Sequence, residues 1–402
     1  MSAWMTVIGI TDRGLDGLTA DIRARINDAA VLVGGQRHLQ KVEASQALRI
    51  DWTGGLDAAI DRIAEQAGKH VVILASGDPL HYGIGARLVD RFGAAAIRFL
   101  PAPGAFSLAA ARMGWSLPDV TCLTVHGRPL DCVNLHLHPN ARLLLLSWDG
   151  GTAKAVADLL CARGFGDSRI SVLEHMEGDR ENRLDGVARD WPQAPTANLN
   201  TLAVTCIAGA DAVFWSRAPG LPEAAYQHDG KITKREVRAA TIAALAPLPG
   251  ETLWDVGAGS GAVGIEWMRM DVANRALAFE QAAANCATIK FNAANLGVPG
   301  LEIIAGDAAV TLPDRVPSPD AIFIGGGVSN RQIMNLCWDR LRAGGRLVAN
   351  GVTLEAHGQL LDFQSSHGGD LVRIAVARSG NVGRMTALRP LMDVLQLKVS
   401  KT

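Results

Sequence analysis

Short apolar runs, each closed by glycine or small polar residues, recur along the chain and predict buried strands alternating with amphipathic helices. In the first half, residues 5–10 read as such a strand, and residues 14–19 lead into a helix that ends near Ala30. Residues 31–35 form the next strand and turn. Residues 71–75 run directly into Ser76-Gly77-Asp78-Pro79, and Tyr82-Gly83-Ile84-Gly85 opens the following helix. Pro101-Ala102-Pro103-Gly104 is a rigid turn before a helix over 108–113, and Leu123-Thr124-Val125-His126-Gly127-Arg128 puts a histidine and an arginine at another strand end. Leu135-His136-Leu137-His138 alternates with period two and reads as a solvated strand face. A second α/β lobe is expected over 119–214. Residues 216–230, with two prolines after the apolar segment 201–207, read as a linker.

The second half carries the densest signal. Leu253 and Trp254 enter Asp255-Val256-Gly257-Ala258-Gly259-Ser260-Gly261, a strand running into a glycine turn that opens a helix. A dinucleotide fingerprint would need its third glycine at position 262, where the chain has Ala262. That spacing, with Asp255 just before the turn, suits the cationic S-adenosylmethionine better than a pyrophosphate. Residues 276–279 end in Glu280, placed to accept ribose hydroxyls, and residues 301–304 lead to Gly306-Asp307-Ala308 at the expected adenine edge. An ordinary glycine turn is the alternative reading. Lys231 to Arg238 is rich in basic residues and precedes the first strand. It reads either as a solvated helix face or as a flap in which Thr233 reaches the methionine end of the cofactor while Lys234, Arg235 and Arg238 face an anionic substrate. Residues 321–324 end in Gly325-Gly326-Gly327, which leaves room for a bulky substrate, and Asn350 at the end of a later strand is a further candidate for its carboxylates.

Composition narrows the classes. The 402 residues exceed one ordinary core and imply two or more domains. Net charge is −1 and aromatic residues make up 5%, so no basic aromatic surface for nucleic acid is indicated. No apolar run suits a membrane span, and six cysteines without CxxC spacing fit a reducing compartment, so a cytoplasmic protein is expected. His126, His136 and His138 lack carboxylates or cysteines at ligand spacing, and no metal is expected.

The quoted stretches of the first half, in their order, resemble the tetrapyrrole methylase family and its precorrin C5-methylating branch. That resemblance implies an N-terminal two-lobed fold over 1–215 with S-adenosylmethionine in its cleft. Gly77, Asp78, Tyr82 and Ser107 would line the cleft, and His126 and Arg128 would lie close to it. Two turns depart from the family's usual pattern: Thr11-Asp12-Arg13 stands where many members have Pro-Gly, and Phe106 where a serine is common. The second half, through Ile-Thr-Lys-Arg-Glu-Val-Arg, Asp-Val-Gly-Ala-Gly-Ser-Gly, Ile-Gly-Gly-Gly and Gly-Gly-Arg-Leu-Val-Ala-Asn-Gly, resembles the decarboxylating precorrin methylases that modify C15. It implies a Rossmann-like class I methyltransferase fold over 231–402, with Asp255, Gly257, Gly259, Gly261, Glu280, Asp307 and Ala308 at the cofactor. Together the resemblances imply two cofactor sites, a tetrapyrrole substrate, methylation of reduced precorrin-6 (precorrin-6B) at C5 and C15 with loss of the ring C acetate carboxylate to give precorrin-8X in cobalamin biosynthesis, and a homo-oligomer. A non-catalytic, tetrapyrrole-binding N-terminal half and a methyltransferase for another small molecule are the alternatives.

Overall fold

The computed structural model describes residues 3–42, 46–312 and 318–402. The chain divides into two compact units, Met1–Leu130 with His138–Val213, and Asp131–Leu137 with Phe214–Thr402. Both are α/β, as the alternation of apolar runs and amphipathic stretches predicts.

The first unit contains two sheets. In one, β1 (Met5–Ile10), β2 (Val31–Gly34), β3 (Leu48–Ile50), β4 (Val71–Ser76) and β5 (Ile97–Leu100) lie in the order β3-β2-β4-β1-β5, and every pairing is parallel. Both faces are covered, which is why these strands read as continuous apolar runs. Val7, Val31, Val33, Val71 and Ile73 pack into one cluster, while Ile8, Ile10, Leu32, Val72 and Leu74 pack into another. The second sheet joins β6 (Thr121–Thr124), β7 (Arg142–Leu146), β8 (Arg169–Glu174), β9 (Asn182–Val187) and β10 (Asn200–Thr205) in the order β6-β7-β10-β8-β9, parallel only between β6 and β7.

The second unit is built on β11 (Thr252–Val256), β12 (Arg275–Glu280), β13 (Glu302–Ala305), β14 (Ala321–Ile324), β15 (Arg346–Gly351), β16 (Asp370–Ile374) and β19 (Val394–Ser400), ordered β13-β12-β11-β14-β15-β19-β16. The first five strands are parallel, and β19 runs antiparallel to both β15 and β16. Strand order reverses between β11 and β14, and it is at the carboxyl ends of such a pair that an open α/β sheet receives a ligand. A separate hairpin pairs β17 (Ala377–Val382) with β18 (Met385–Pro390).

Two segments differ from their sequence reading. Leu130–His136 is a 3-10 helix, not a strand. Its alternation does mark one buried side, since Val133, Leu135 and Leu137 are all buried, but no ladder accompanies it, and the segment is anchored in the second unit by the Asn134 amide donating to the Ala294 carbonyl at 3.1 Å. The stretch 216–230 is packed, not loose. Leu221, Ala225 and Tyr226 enter the core of the second unit. The Glu266 carboxylate, in the helix Ala262–Met270, accepts from the Gly220 and Leu221 N–H groups at 2.7 and 2.9 Å, from the Tyr226 hydroxyl at 3.0 Å and from Arg238 Nε at 2.6 Å. Arg238 also donates to the carbonyls of Thr233 and Leu221, and its side chain is 0% exposed beside a Glu266 at 2%.

This buried pair yields the first prediction. Glu266→Gln leaves the guanidinium without its counter-charge, and urea unfolding is expected to show a loss of about 3–5 kcal/mol. A loss below about 1 kcal/mol would place the pair among surface-like ion pairs.

Candidate functional sites

In the first unit the carboxyl ends of β1 and β4 converge so closely that a Cβ on Gly9 would lie 1.9 Å from the Gly77 carbonyl oxygen and 2.4 Å from the Ala102 nitrogen. Beyond this contact the turns diverge around a cavity of roughly 810 Å³, within the range of small-molecule sites. Its wall is apolar at Ile10, Leu74, Phe106 and Leu173 and carries polar groups around them. Gly77, Asp78, Tyr82, His126 and Arg128 all line it. Asp78 Oδ1 accepts from the Leu80 N–H at 2.9 Å, which closes the turn after β4. Tyr82, at φ 56°, stacks on His81 with ring centroids 5.2 Å apart, and the Arg128 guanidinium lies 5.4 Å from its ring centre. Ser107 is placed differently. Gly104, Ala105, Phe106 and Leu108 face the cavity, whereas Ser107 is exposed outside the described wall, because the helix Ala105–Met113 turns Phe106 inward.

The sequence reading missed a charged group on the same wall. Asp12 accepts from Lys41 Nζ at 3.0 Å, lies 3.1 Å from His175 Nδ1 and sits 4.0 Å from Arg37 Nη1. Burial opposes ionisation of Asp12, but its bonds to Lys41 and His175 hold the carboxyl below its ordinary value. Next to it, burial and the cations of Arg37 and Lys41 pull the His38 imidazole down to about 4. Neutral His38 accepts through Nε2, with Arg37 Nη2 and Ser76 Oγ each 3.3 Å away. Arg37 and His38 stand in the Gly-Gly-Gln-Arg-His stretch that is part of the family resemblance, but Asp12, Lys41 and His175 lie far apart in sequence, so nothing local announced the cluster.

In the second unit the candidate cofactor residues Asp255, Gly257, Gly259, Gly261, Glu280, Asp307 and Ala308 fall at or just beyond the ends of three adjacent parallel strands. A Cβ on Gly257 would lie 2.5 Å from Gly326 Cα, so the glycine turn and the bare end of β14 meet backbone to backbone. A Cβ on Gly259 would meet nothing within 4 Å. Glu280 accepts from the Gly259 N–H at 2.8 Å and the Ala282 N–H at 2.9 Å, which fixes its carboxylate beside the turn. Asp307 caps the following helical turn through the Ala309 N–H at 2.9 Å. Asp255 faces inward. Its Oδ2 accepts from the Gly264 N–H at 2.8 Å, and its Oδ1 is sealed from solvent without a partner among the described residues. Burial pushes its carboxyl up to about 7; the Gly264 bond opposes this, and the nearby Glu280 carboxylate adds to it.

The basic segment divides. Lys234 and Arg235 begin the helix Arg235–Leu245, with Lys234 half-buried and Arg235 exposed. Arg238, read as facing an anionic substrate, is instead spent entirely in the core, and Thr233 is held by its carbonyl to that same arginine. Asn350 donates to Thr241 Oγ1 and accepts from Gln396 Nε2, both at 2.9 Å, so its amide is already engaged. Arg378, another cation of the closing segment, pairs with Glu223 at 2.7 Å and Glu236 at 2.5 Å.

Comparison with known proteins matches residues 5–187 to the tetrapyrrole (corrin/porphyrin) methylases and residues 224–401 to the precorrin methyltransferase domain. A Sinorhizobium sp. protein named precorrin-6Y C(5,15)-methyltransferase [decarboxylating] is 44% identical over 402 residues, 100% of this chain and 97% of that protein. The chain belongs to this family. A Mycobacterium tuberculosis member of the precorrin-6Y C(5,15)-methyltransferases is 38% identical over 98% of this chain and 99% of its own length. A Salmonella typhimurium cobalt-precorrin-7 C(5)-methyltransferase is 33% identical over 178 residues, 44% of this chain and 87% of that protein. Both resemblances read from the motifs are thus found again. Among the described residues no cluster of potential metal ligands occurs, and no helix is long and apolar enough to cross a membrane.

For this precorrin-6Y methyltransferase family member, the His38 environment sets a pH dependence. The folded imidazole refuses a proton that the unfolded chain accepts from about pH 6.5 downward, so stability falls as pH drops through the window from 6.5 to about 4. The loss is on the order of 3 kcal/mol. His38→Gln is expected to remove this component, giving a smaller fall in melting temperature between about pH 7 and pH 4.5 than the unaltered chain shows. Equal falls would assign the titration to other groups.

Proposed function

We propose that this chain is a cytoplasmic bifunctional methyltransferase of cobalamin biosynthesis that methylates reduced precorrin-6 (precorrin-6B) at C5 and C15 and removes the ring C acetate carboxylate, giving precorrin-8X. Residues 1–215 carry C5 methylation, 216–230 join the halves, and 231–402 carry C15 methylation with decarboxylation. The observation that carries this reading is the presence of two strand-end sites on unrelated backbones, the cavity of the first unit and the glycine turn of the second. Full-length similarity to a precorrin-6Y C(5,15)-methyltransferase supports the substrate assignment.

Both sites fit S-adenosylmethionine, which when bound supplies an electrophilic methyl group. In the first half the cavity is large enough, and Gly77, Asp78 and Tyr82 form its strand-end wall. In the second half the open space at Gly259 admits close approach, and Glu280 is fixed to accept ribose hydroxyls. Asp307 and Ala308 border the adenine, and Thr233 serves the methionine end. Asp255 lies beneath the turn with its unpartnered oxygen sealed from solvent, and a cation bound above it would act through space to favour its charged form. The meso carbons of a reduced tetrapyrrole are enamine-like nucleophiles, so the protein's task is chiefly orientation. Gly325, Gly326 and Gly327 keep the end of β14 free of side chains for a macrocycle, while Lys234 and Arg235 present cations to its carboxylate arms.

The direct test is mass spectrometry of reduced precorrin-6 incubated with the full chain and S-adenosylmethionine. Two methyl gains with one carbon dioxide loss are expected, and calorimetry with S-adenosylhomocysteine is expected to count two sites per chain. One site would reduce the first half to a binding module. Gly259→Ala, which strains a residue at φ 58° by about 1 kcal/mol, should keep the chain folded and abolish C15 methylation and carbon dioxide loss while C5 methylation of a suitable intermediate, one already modified at C15, survives. Failure of the folded variant to methylate C5 of that intermediate as well would refute the division of labour.

Self-association is part of the proposal. The hairpin of β17 and β18 leaves Met385 at 75% and Leu388 at 72% exposure, which favours burial against another copy. Light scattering should report a mass above the single chain, lowered by Met385→Asp with Leu388→Asp; a monomeric unaltered chain would refute it.

A further inference from the structure

On the wall of the first unit's cavity Arg37 and Arg128 are matched in formal charge by Asp12 and Asp78, and Lys41, bound to Asp12, leaves that end locally positive. Arg37 and Lys41 are set against one carboxylate, Asp12, and neighbouring His38 is uncharged. Lys41 holds Asp12 at 3.0 Å and also donates to its backbone carbonyl, and His175 takes the second carboxylate oxygen at 3.1 Å. Arg37 is left at 4.0 Å from Asp12, beyond a hydrogen bond. Its remaining contacts among the described residues are Ser76 Oγ and His38 Nε2, each at 3.3 Å, long for hydrogen bonds. The side chain is 43% exposed and lines a cavity whose wall is apolar at Ile10, Leu74, Phe106 and Leu173. A guanidinium so placed, oriented from one side and with donors to spare, matches a carboxylate in two-point geometry.

We propose that Arg37 is the anchor for a carboxylate arm of the tetrapyrrole at the C5-methylating site. The inference rests on the function proposed above and identifies which residue of that site holds the substrate. Arg37 touches Ser76, which immediately precedes Gly77 and Asp78, so an arm held there brings the macrocycle edge beside the strand end assigned to the methyl donor. The donor's own α-carboxylate offers the same chemistry. That carboxylate, however, arrives with an ammonium on the same carbon as its own partner, whereas a tetrapyrrole carries many acidic arms with no such partner.

The test uses the full chain, unaltered and as Arg37→Gln and Arg37→Lys. With S-adenosylmethionine saturating, Arg37→Gln is expected to raise KM for the C5 methyl gain by roughly ten- to a hundredfold, with kcat at saturating substrate changed far less. The C15 gain and carbon dioxide loss should proceed at unaltered rates in the same samples. S-adenosylhomocysteine should bind both sites with unchanged affinity, which also shows that the variant is folded. Arg37→Lys should recover part of the lost affinity, because it restores the charge without the planar fork. An unchanged KM for C5 methylation in Arg37→Gln overturns the proposal. So does a loss of S-adenosylhomocysteine binding at one site from a folded variant, which would assign Arg37 to the cofactor's carboxylate. If the unaltered chain binds S-adenosylhomocysteine twice yet adds no methyl to the tetrapyrrole, the functional reading itself fails, and the substrate anchor with it.

Discussion

Backbone meeting backbone at the ends of parallel strands is the constraint from which both candidate sites follow. Where Gly9 faces the Gly77 carbonyl, and where Gly257 faces Gly326, there is no room for a side chain on Gly9 or on Gly257. The strands are thereby held together up to their last residue, and the chain has to diverge immediately afterwards. Divergence opens the space, and the residues one or two positions later decide its chemistry: Thr11 and Asp12 or Asp78 in the first unit, Gly259 and Gly327 in the second. A Cβ at either contact would push the strand ends apart and blur the position of everything mounted on them.

Charge is distributed with similar economy. Several arginines that a linear reading would offer to an anionic substrate are committed to the protein's own carboxylates. Arg238 is enclosed with Glu266, Arg346 donates to Glu251 at 2.9 Å, and Arg378 bridges Glu223 and Glu236. These pairs fasten the segment before β11 and the segment after β16 to the body of the second unit. Among the described residues, Lys234, Arg235 and Arg37 are cations without a carboxylate held at hydrogen-bond distance, which sets them apart from these pairs.

Strands were the legible part of the sequence. Runs such as 5–10, 71–76 and 321–324 are buried on both faces, so their apolar character is continuous and survives without any knowledge of partners. The glycine turn after β11 was legible for the same reason, since its conformation is dictated locally. What depended on distant partners was not. Alternation at 135–138 looks the same in a strand and in a 3-10 segment with one buried side. Prolines in 216–230 suggest a tether until Glu266 is seen to gather its N–H groups. Arg238 differs from Arg235 only by the helix face it occupies. Asp12, Lys41 and His175 come together from three separate loops, and Ser107 misses the cavity wall by the rotation of one helical residue.

Residues 131–137 belong to the second unit although chain on both sides of them belongs to the first. The polypeptide therefore passes from one body to the other three times along its length. A cut near position 213 would therefore part the second unit from a short stretch that packs on it at Ala294 and Gly297.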